Sequence, residues 1–319
     1  MKVIRCTGDG ISVDKNTSLT VGTFDGVHCG HRGLFDRMSR VANEHNERTV
    51  VVTFDPHPQI VLNKPEREPL KLLTTIEERC ELFERSLIDV AIVIPFSTEF
   101  ASVTAEEFIR TVIVQNIGVQ HFFIGHDHSF GKDRGGNEEL LQRLAPECGY
   151  QVVPVPPLIC DGVVVSSTKV RAALKEGRLD DANSMLGRPY SVRGTVVRGD
   201  GRGRGLGIPT ANIELDNEHK LLPCNGIYVA SAEIHGERMI GMASVGVRPM
   251  FTSDVHPTLE VNFLDFDADI YGEYLSISFH KRLRNEEKYE TVDELLAQIN
   301  IDKQQTRIYQ HIISDRRSS

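Results

Sequence analysis

The chain contains no tryptophan, and its six cysteines, at positions 6, 29, 80, 148, 160 and 224, never fall into a C-x-x-C pair. That spacing excludes a zinc-finger cluster and gives no disulfide framework; the thiols read as the reduced cysteines of a cytoplasmic protein. Net positive charge is also missing. The 36 Lys and Arg are outnumbered by 45 Asp and Glu, for a formal charge of -9, which excludes a dedicated binder of nucleic acid or of anionic membranes but leaves room for a local basic pocket. No apolar run reaches membrane-spanning length, and Met1-Lys2-Val3-Ile4-Arg5 lacks the long apolar segment of a signal peptide, so neither is expected. Internal repeats and low-complexity tracts are absent too. What remains is a composition of 40% hydrophobic and 25% charged residues over 319 positions, ordinary for a soluble protein of about two domains.

The first half alternates strand and helix patterns. Leu19–Val21, Thr49–Phe54, Val90–Ile94, Gln120–Ile124 and Gln151–Val155 read as short apolar strands. Between them, Leu34, Phe35, Met38, Val41 and Ala42 recur at helical spacing, Thr74/Thr75 with Glu77/Glu78 forms a capping box, and Thr104 caps a helix carrying Phe108, Ile109, Val112 and Ile113. Val163–Val165 reads as a last strand running into Ser166. This alternation predicts a parallel sheet covered on both faces, with ligands beyond the carboxyl ends of its strands. The loops Gly22–His31, Asp55–Pro58, Gly125–Gly136 and Ser166–Arg171 all follow strands and are expected on that one edge.

The pattern changes near Gly187-Arg188-Pro189. From there Ser191–Val197, Gly226–Ile234, Met239–Val245, Thr258–Phe263 and Leu275–Phe279 read as strands separated by turn residues, predicting an antiparallel barrel or sandwich, and Val292, Leu295, Leu296 and Ile299 predict a closing helix. The domains are therefore expected to be 1–186 and 187–319.

In Val21-Gly22-Thr23-Phe24-Asp25-Gly26-Val27-His28-Cys29-Gly30-His31, a strand meets a tight turn and a helix start. Backbone N–H groups at a helix start attract anions, Gly26 and Gly30 permit close approach, and His28 and His31, three apart, can face one pocket and stabilise charge developing on phosphate oxygens. The competing reading is that one histidine merely caps the helix. Ser166-Ser167-Thr168-Lys169-Val170-Arg171 brings three hydroxyls and a fork donor to another helix start, a candidate second jaw around a triphosphate. Asp55-Pro56-His57-Pro58 is a rigid turn suited to a pocket floor. His126, Asp127 and His128 alternate on an irregular loop, which suits hydrogen bonding better than a zinc site.

In the second half, Arg198 to Asn212 carries arginines among glycines and then Pro209-Thr210-Ala211-Asn212. No dinucleotide-type glycine pattern fits, but such a loop can wrap phosphates through its N–H groups. An RNA-binding Arg-Gly segment is the rival, weakened by the acidic chain. Thr210 and Asn212, two apart on a strand, offer neutral oxygens to Mg²⁺, and Glu260 in an alternating strand is either exposed or a general base for a hydroxyl nucleophile.

Together with Phe54-Asp55-Pro56-His57-Pro58, Asp267-Ala268-Asp269-Ile270-Tyr271-Gly272 and Arg284-Asn285-Glu286-Glu287-Lys288-Tyr289, these motifs resemble the prokaryotic bifunctional riboflavin kinase/FAD synthetase (FMN adenylyltransferase) family. The resemblance implies an α/β, Rossmann-like nucleotidyltransferase domain of the H-x-G-H type, then an antiparallel β-barrel riboflavin kinase domain with a terminal helix. It implies ATP-dependent phosphorylation of riboflavin to FMN by the second domain and adenylylation of FMN to FAD, with release of pyrophosphate, by the first. On the same analogy His28, His31 and Arg171 act in the first centre, where Gly22, Phe24, Gly26, Gly30, Ser166, Ser167 and Thr168 hold ATP. Glu260 is then the base of the second, where Gly205, Gly207, Thr210 and Asn212 hold ATP, with Thr210 and Asn212 on Mg²⁺. Asp127, Arg248 and Arg284 are the candidate flavin contacts of the two centres. His128 and Met250 stand where the family often has phenylalanine and threonine; the alternative is a riboflavin kinase with a weak or differently directed nucleotidyltransferase. Expected partners are small molecules only, without nucleic acid or membrane, and nothing calls for a homo-oligomer.

Overall fold

A computed structural model describes residues 1–6, 16–63, 66, 68–125, 130–157, 159–160, 162–199, 207–248 and 256–315. The chain falls into two compact units, Met1–Ser167 and Thr168–Ser319.

In the first unit, β1 (Lys2–Arg5), β2 (Thr17–Val21), β3 (Arg48–Asp55), β4 (Val90–Pro95), β5 (His121–Gly125) and β6 (Gln151–Val155) form, among the described residues, a six-stranded sheet ordered β1-β4-β3-β2-β5-β6. Every neighbouring pair is parallel. Because successive side chains of a strand point to opposite faces, one apolar run feeds two cores. Leu19, Val50, Val52, Ile92 and Phe122 pack on one side with Phe108, Ile109 and Ile113, whereas Val51, Ala91 and Phe123 pack on the other with Leu34, Phe35, Met38 and Phe83. Each such fully buried large side chain contributes roughly 1.5–3 kcal/mol.

The helices are α1 (Cys29–His45), α2 (Pro58–Val61), α3 (Ile76–Arg85), α4 (Thr98–Ala101), α5 (Ala105–Glu107) and α6 (Glu138–Cys148). The capping box before α3 forms between Thr75 and Glu78. Thr104 caps α5 as its spacing predicts, but after a single turn the chain winds into a π-helix, Phe108–Ile117. Buried Phe108 and Ile113 are five apart, matching the i→i+5 winding better than an α-helix would. The edge strand β1 is not legible in advance, because four residues with charged ends carry almost no apolar signal.

One expectation is corrected. Val163–Val165 does not extend the parallel sheet; β7 (Ile159–Cys160) and β8 (Val163–Val164) make a two-stranded antiparallel hairpin of their own. A short β-branched run before a helix looks the same in either setting, and pairing is decided by the partner, not by the run.

The second unit contains most of α7 (Ser167–Lys175) and all of α8 (Leu179–Leu186), whose Asn183 donates to the Phe279 carbonyl at 3.0 Å. Then β9 (Tyr190–Val197), β10 (Ala211–Leu215), β11 (Gly226–Ile234), β12 (Glu237–Arg248), β13 (His256–Phe263) and β14 (Tyr274–Arg284) close, among the described residues, into a barrel ordered β10-β13-β12-β11-β14-β9. All its pairings are antiparallel. Along β9 burial alternates residue by residue, the signature of a strand with one face in a barrel core. The terminal helix α9 (Val292–Asp315) is fastened by Arg284, whose guanidinium meets the buried Asp302 carboxylate at 2.8 Å.

Candidate active sites

The first site grows from the end of β2. Gly22 to His31 leaves the carboxyl edge of the sheet, and besides Gly26 two of its residues adopt left-handed backbone, Phe24 at φ 46° and the β-branched Val27 at φ 38°. Such conformations cost of order 1–3 kcal/mol each and persist only where surroundings hold them. Here the segment before α3 does the holding. The Asp25 carboxylate, 1% exposed, accepts from the Leu73 and Thr74 N–H groups at 3.0 and 2.8 Å and from the Thr74 hydroxyl at 2.9 Å. Thr74 Oγ1 in turn accepts from the Gly26 N–H at 2.8 Å.

From below, Arg79, 0% exposed, donates to the Thr23 carbonyl at 2.8 Å, Thr53 Oγ1 at 3.2 Å and the Phe54 carbonyl at 3.3 Å, and stands 3.7 Å from Asp55. One buried guanidinium thus ties the ends of β2 and β3. Burial pulls the Arg79 pKa down and raises that of Asp55, with each group's charge opposing the other's shift.

On this turn His28 caps α1. Its Nδ1 accepts the His31 N–H at 3.4 Å, so the ring proton belongs on Nε2. The two imidazoles are stacked, centroids 3.6 Å apart, and a Cβ on Gly30 would lie 3.1 Å from the His28 ring, so the ring packs closely over Gly30. The capping and the functional readings of His28 are therefore compatible: the cap engages Nδ1 and places the ring proton on Nε2. His57 likewise caps α2, through the Gln59 N–H at 3.1 Å. Although β8 lies outside the sheet, the segment after it still reaches this edge, because Ser167 Oγ donates to the Asp25 carbonyl at 2.8 Å. Arg171 stands one turn further along α7.

The second site lies on the barrel wall. Asn212 is directly opposite Glu260 in the β10–β13 register, and the Thr210 hydroxyl donates to Glu260 Oε2 at 3.2 Å. Asn212 on β10 and Thr210, which stands just before that strand rather than on it, thus meet the sequence-distant Glu260. A Cβ on Gly199 would fall 2.3 Å from the Asn212 amide, so Gly199 packs directly against that side chain. The adjoining cavity, about 240 Å³, is lined by Thr210, Asn212, Asp267, Asp269 and Tyr271 among others, and Arg198 lies 5.2 Å from the Tyr271 ring centre.

A family model for FAD synthetase matches residues 11–169, and one for riboflavin kinase matches residues 186–310. A bifunctional riboflavin kinase/FMN adenylyltransferase of Listeria monocytogenes is 37% identical over 93% of each chain. The Bacillus subtilis protein of the same name is 35% identical over 91% of this chain and 92% of its own. This chain belongs to the bifunctional riboflavin kinase/FMN adenylyltransferase family. It is a transferase with an FAD synthetase module followed by a riboflavin kinase module. A crystal structure described as a macrolide-efflux protein from Streptococcus pneumoniae aligns at TM-score 0.87 and 32% identity, covering 96% of this chain and 99% of that one. Among the described residues no helix is long and apolar enough to cross a membrane.

Within this family frame the remaining candidates are placed unevenly. Arg284 is engaged with Asp302 and lies 5.8 Å from the Tyr289 ring centre. Arg248 ends β12, with its side chain outside the described residues, as are Asp127, His126, His128, Gly205 and Met250 altogether. Gly207 is described, in left-handed backbone at φ 73°. Sequence reasoning passed over Asp25, Thr74, Arg79 and Asn262. A charged residue inside an otherwise apolar helix face, as Arg79 is in α3, was the available signal for one of them.

Proposed function

We propose that the two sites carry the two steps of flavin cofactor synthesis, with the nucleotidyl-transfer function assigned to residues 1–186 and the kinase function to 187–319. The observation that supports the kinase assignment is the convergence on Glu260 of Asn212, its partner across the strands, and of the Thr210 hydroxyl just before β10. Glu260 takes the proton of the riboflavin 5′-hydroxyl as that oxygen attacks the γ-phosphorus of ATP, and ADP leaves. The Thr210 hydroxyl, its proton directed at Glu260, keeps its lone pairs available, and with the Asn212 carboxamide it offers the neutral oxygens a hard cation prefers. Mg²⁺ held there would neutralise charge on the transferred phosphoryl group.

In the first site a phosphate oxygen of FMN attacks the α-phosphorus of ATP and the bond to pyrophosphate breaks. His28 donates from Nε2 to the phosphates beside the α1 N-terminus, His31 supports it by stacking, and Gly22, Phe24, Gly26 and Gly30 shape the turn. Ser166, Ser167, Thr168 and Arg171 add hydroxyls and a guanidinium. Asp127, Arg248 and Arg284 remain the proposed flavin contacts, with Gly205 and Gly207 in the kinase phosphate loop. The reaction needs only small-molecule partners, riboflavin, FMN and ATP, and a cytoplasmic setting suits it. Incubation with riboflavin, ATP and Mg²⁺ followed by flavin separation should yield FMN and then FAD. FMN without FAD would support the alternative of a weak or redirected nucleotidyltransferase, and neither product would overturn both assignments.

A further inference from the structure

The β10–β13 ladder stops one residue short of where its register would carry it. Ala211 pairs with Val261 and Asn212 with Glu260, so the next antiparallel pair would join Thr210 to Asn262, yet pairing ends at Ala211. Pro209, which has no N–H, precedes that point. In place of a ladder bond, the Asn262 side chain reaches across: its Nδ2 donates to the Pro209 carbonyl at 2.6 Å, and the residue is 7% exposed.

This substitution of a side chain for the ladder has a consequence for Thr210. Asn262 and Glu260 are two apart on β13 and so project from the same face of the strand. The first grips the carbonyl just before Thr210, and the second accepts the hydroxyl of Thr210 itself. The backbone at Pro209 and the side chain at Thr210 are thereby fixed from one strand. Pro209 is also common to two neighbouring cavities, one containing Thr210 and Asn212, the other, about 340 Å³, lined by Asn262, Asp265, Lys303 and Arg307. Loss of Asn262 would remove the hydrogen bond that holds the Pro209 carbonyl next to Thr210.

We infer that Asn262 is a positioning residue for phosphoryl transfer, acting through the Pro209 carbonyl on the Thr210 hydroxyl; the inference rests on the assignment of Thr210, Asn212 and Glu260 to the kinase centre. Its effect falls on the nucleotide rather than on the flavin, because Thr210 is the group it sets.

The test uses the full chain in three variants, Asn262→Leu, which removes the donor, Asn262→Asp, which keeps the shape but turns an acceptor on the Pro209 carbonyl, and Glu260→Gln. Riboflavin phosphorylation is measured as a function of MgATP and of riboflavin, with conversion of supplied FMN to FAD as the control for an intact chain. A lost neutral hydrogen bond predicts a roughly tenfold fall in kcat/KM for MgATP in both Asn262 variants, with the KM for riboflavin and the FAD-forming step unchanged. The inference is overturned if both Asn262 variants keep kcat/KM for MgATP within twofold of the parent chain while Glu260→Gln abolishes phosphorylation. It is equally overturned if the KM values for MgATP and riboflavin rise together along with a lowered barrel melting temperature, the mark of a merely structural role. Full phosphorylation by Glu260→Gln would instead overturn the kinase assignment beneath it.

Discussion

The two centres are built on opposite plans. In the first unit the proposed histidine pair lies in one short run, Gly22 to His31, at the end of a buried parallel strand, and the cost of its left-handed Phe24 and Val27 is offset by buried polar groups, Asp25 and Arg79. In the second, Asn212 and Glu260 face each other across two paired antiparallel strands and Thr210 stands just before the first of them, with no left-handed backbone among the three. A turn site concentrates its chemistry in sequence and needs a scaffold to hold strain. A ladder site scatters its chemistry in sequence and is held by the pairing that makes the barrel.

That contrast can be broken by substitution. The largest effect is expected from Glu260→Gln, which keeps shape and removes the base: riboflavin phosphorylation should fall by roughly 10²–10⁴, with conversion of supplied FMN to FAD intact. His28→Ala should give the mirror image, lowering FAD formation by roughly 10²–10³ without touching FMN formation. Arg79→Met tests whether the first centre depends on its buried scaffold. Leaving the Thr23 and Phe54 carbonyls and Asp55 without their cation should cost roughly 3–5 kcal/mol of first-unit stability, read as an earlier unfolding transition while the kinase step survives.

The smallest effect concerns pH. His280 is buried on the barrel, its Nε2 2.8 Å from Ser231 Oγ and 3.3 Å from Arg238, and burial together with that cation pushes its pKa down to about 4. An unfolded histidine titrates near 6.5. The folded value is the lower one, so the unfolded chain binds more protons between about pH 6.5 and 4, and barrel stability should decline across that window by roughly 1–3 kcal/mol and level off below it. His280→Gln should flatten the decline in a series of melting curves, and an unchanged slope would assign it to other groups.

The same contrast explains what could be read without coordinates. The parallel sheet was legible because Val50–Val52 and Val90–Ile94 are apolar runs, and Gln151–Val155 and Glu138–Cys148 coincide with the observed strand and helix. The barrel was legible through short strands separated by turn residues, and burial along β9 alternates as a barrel strand should. Hairpin β7–β8 was misassigned to the sheet because a short β-branched run does not name its partner, and the π-helix was hidden because its cap, Thr104, is that of an ordinary helix. His28 and His31 stood out as neighbours at a helix start. Asp25, Arg79 and Asn262 did not, since each acts on a backbone carbonyl or N–H group far away in sequence, and such partners leave no trace in residue spacing.

The most direct measurement of the central claim, two separate centres in one chain, is flavin separation after incubating the Glu260→Gln and His28→Ala variants with ATP, Mg²⁺ and either riboflavin or FMN. The account predicts a crossed pattern: Glu260→Gln leaves riboflavin unconverted but turns FMN into FAD, and His28→Ala carries riboflavin to FMN and stops. Loss of both steps in either variant, with its melting temperatures unchanged, would contradict it.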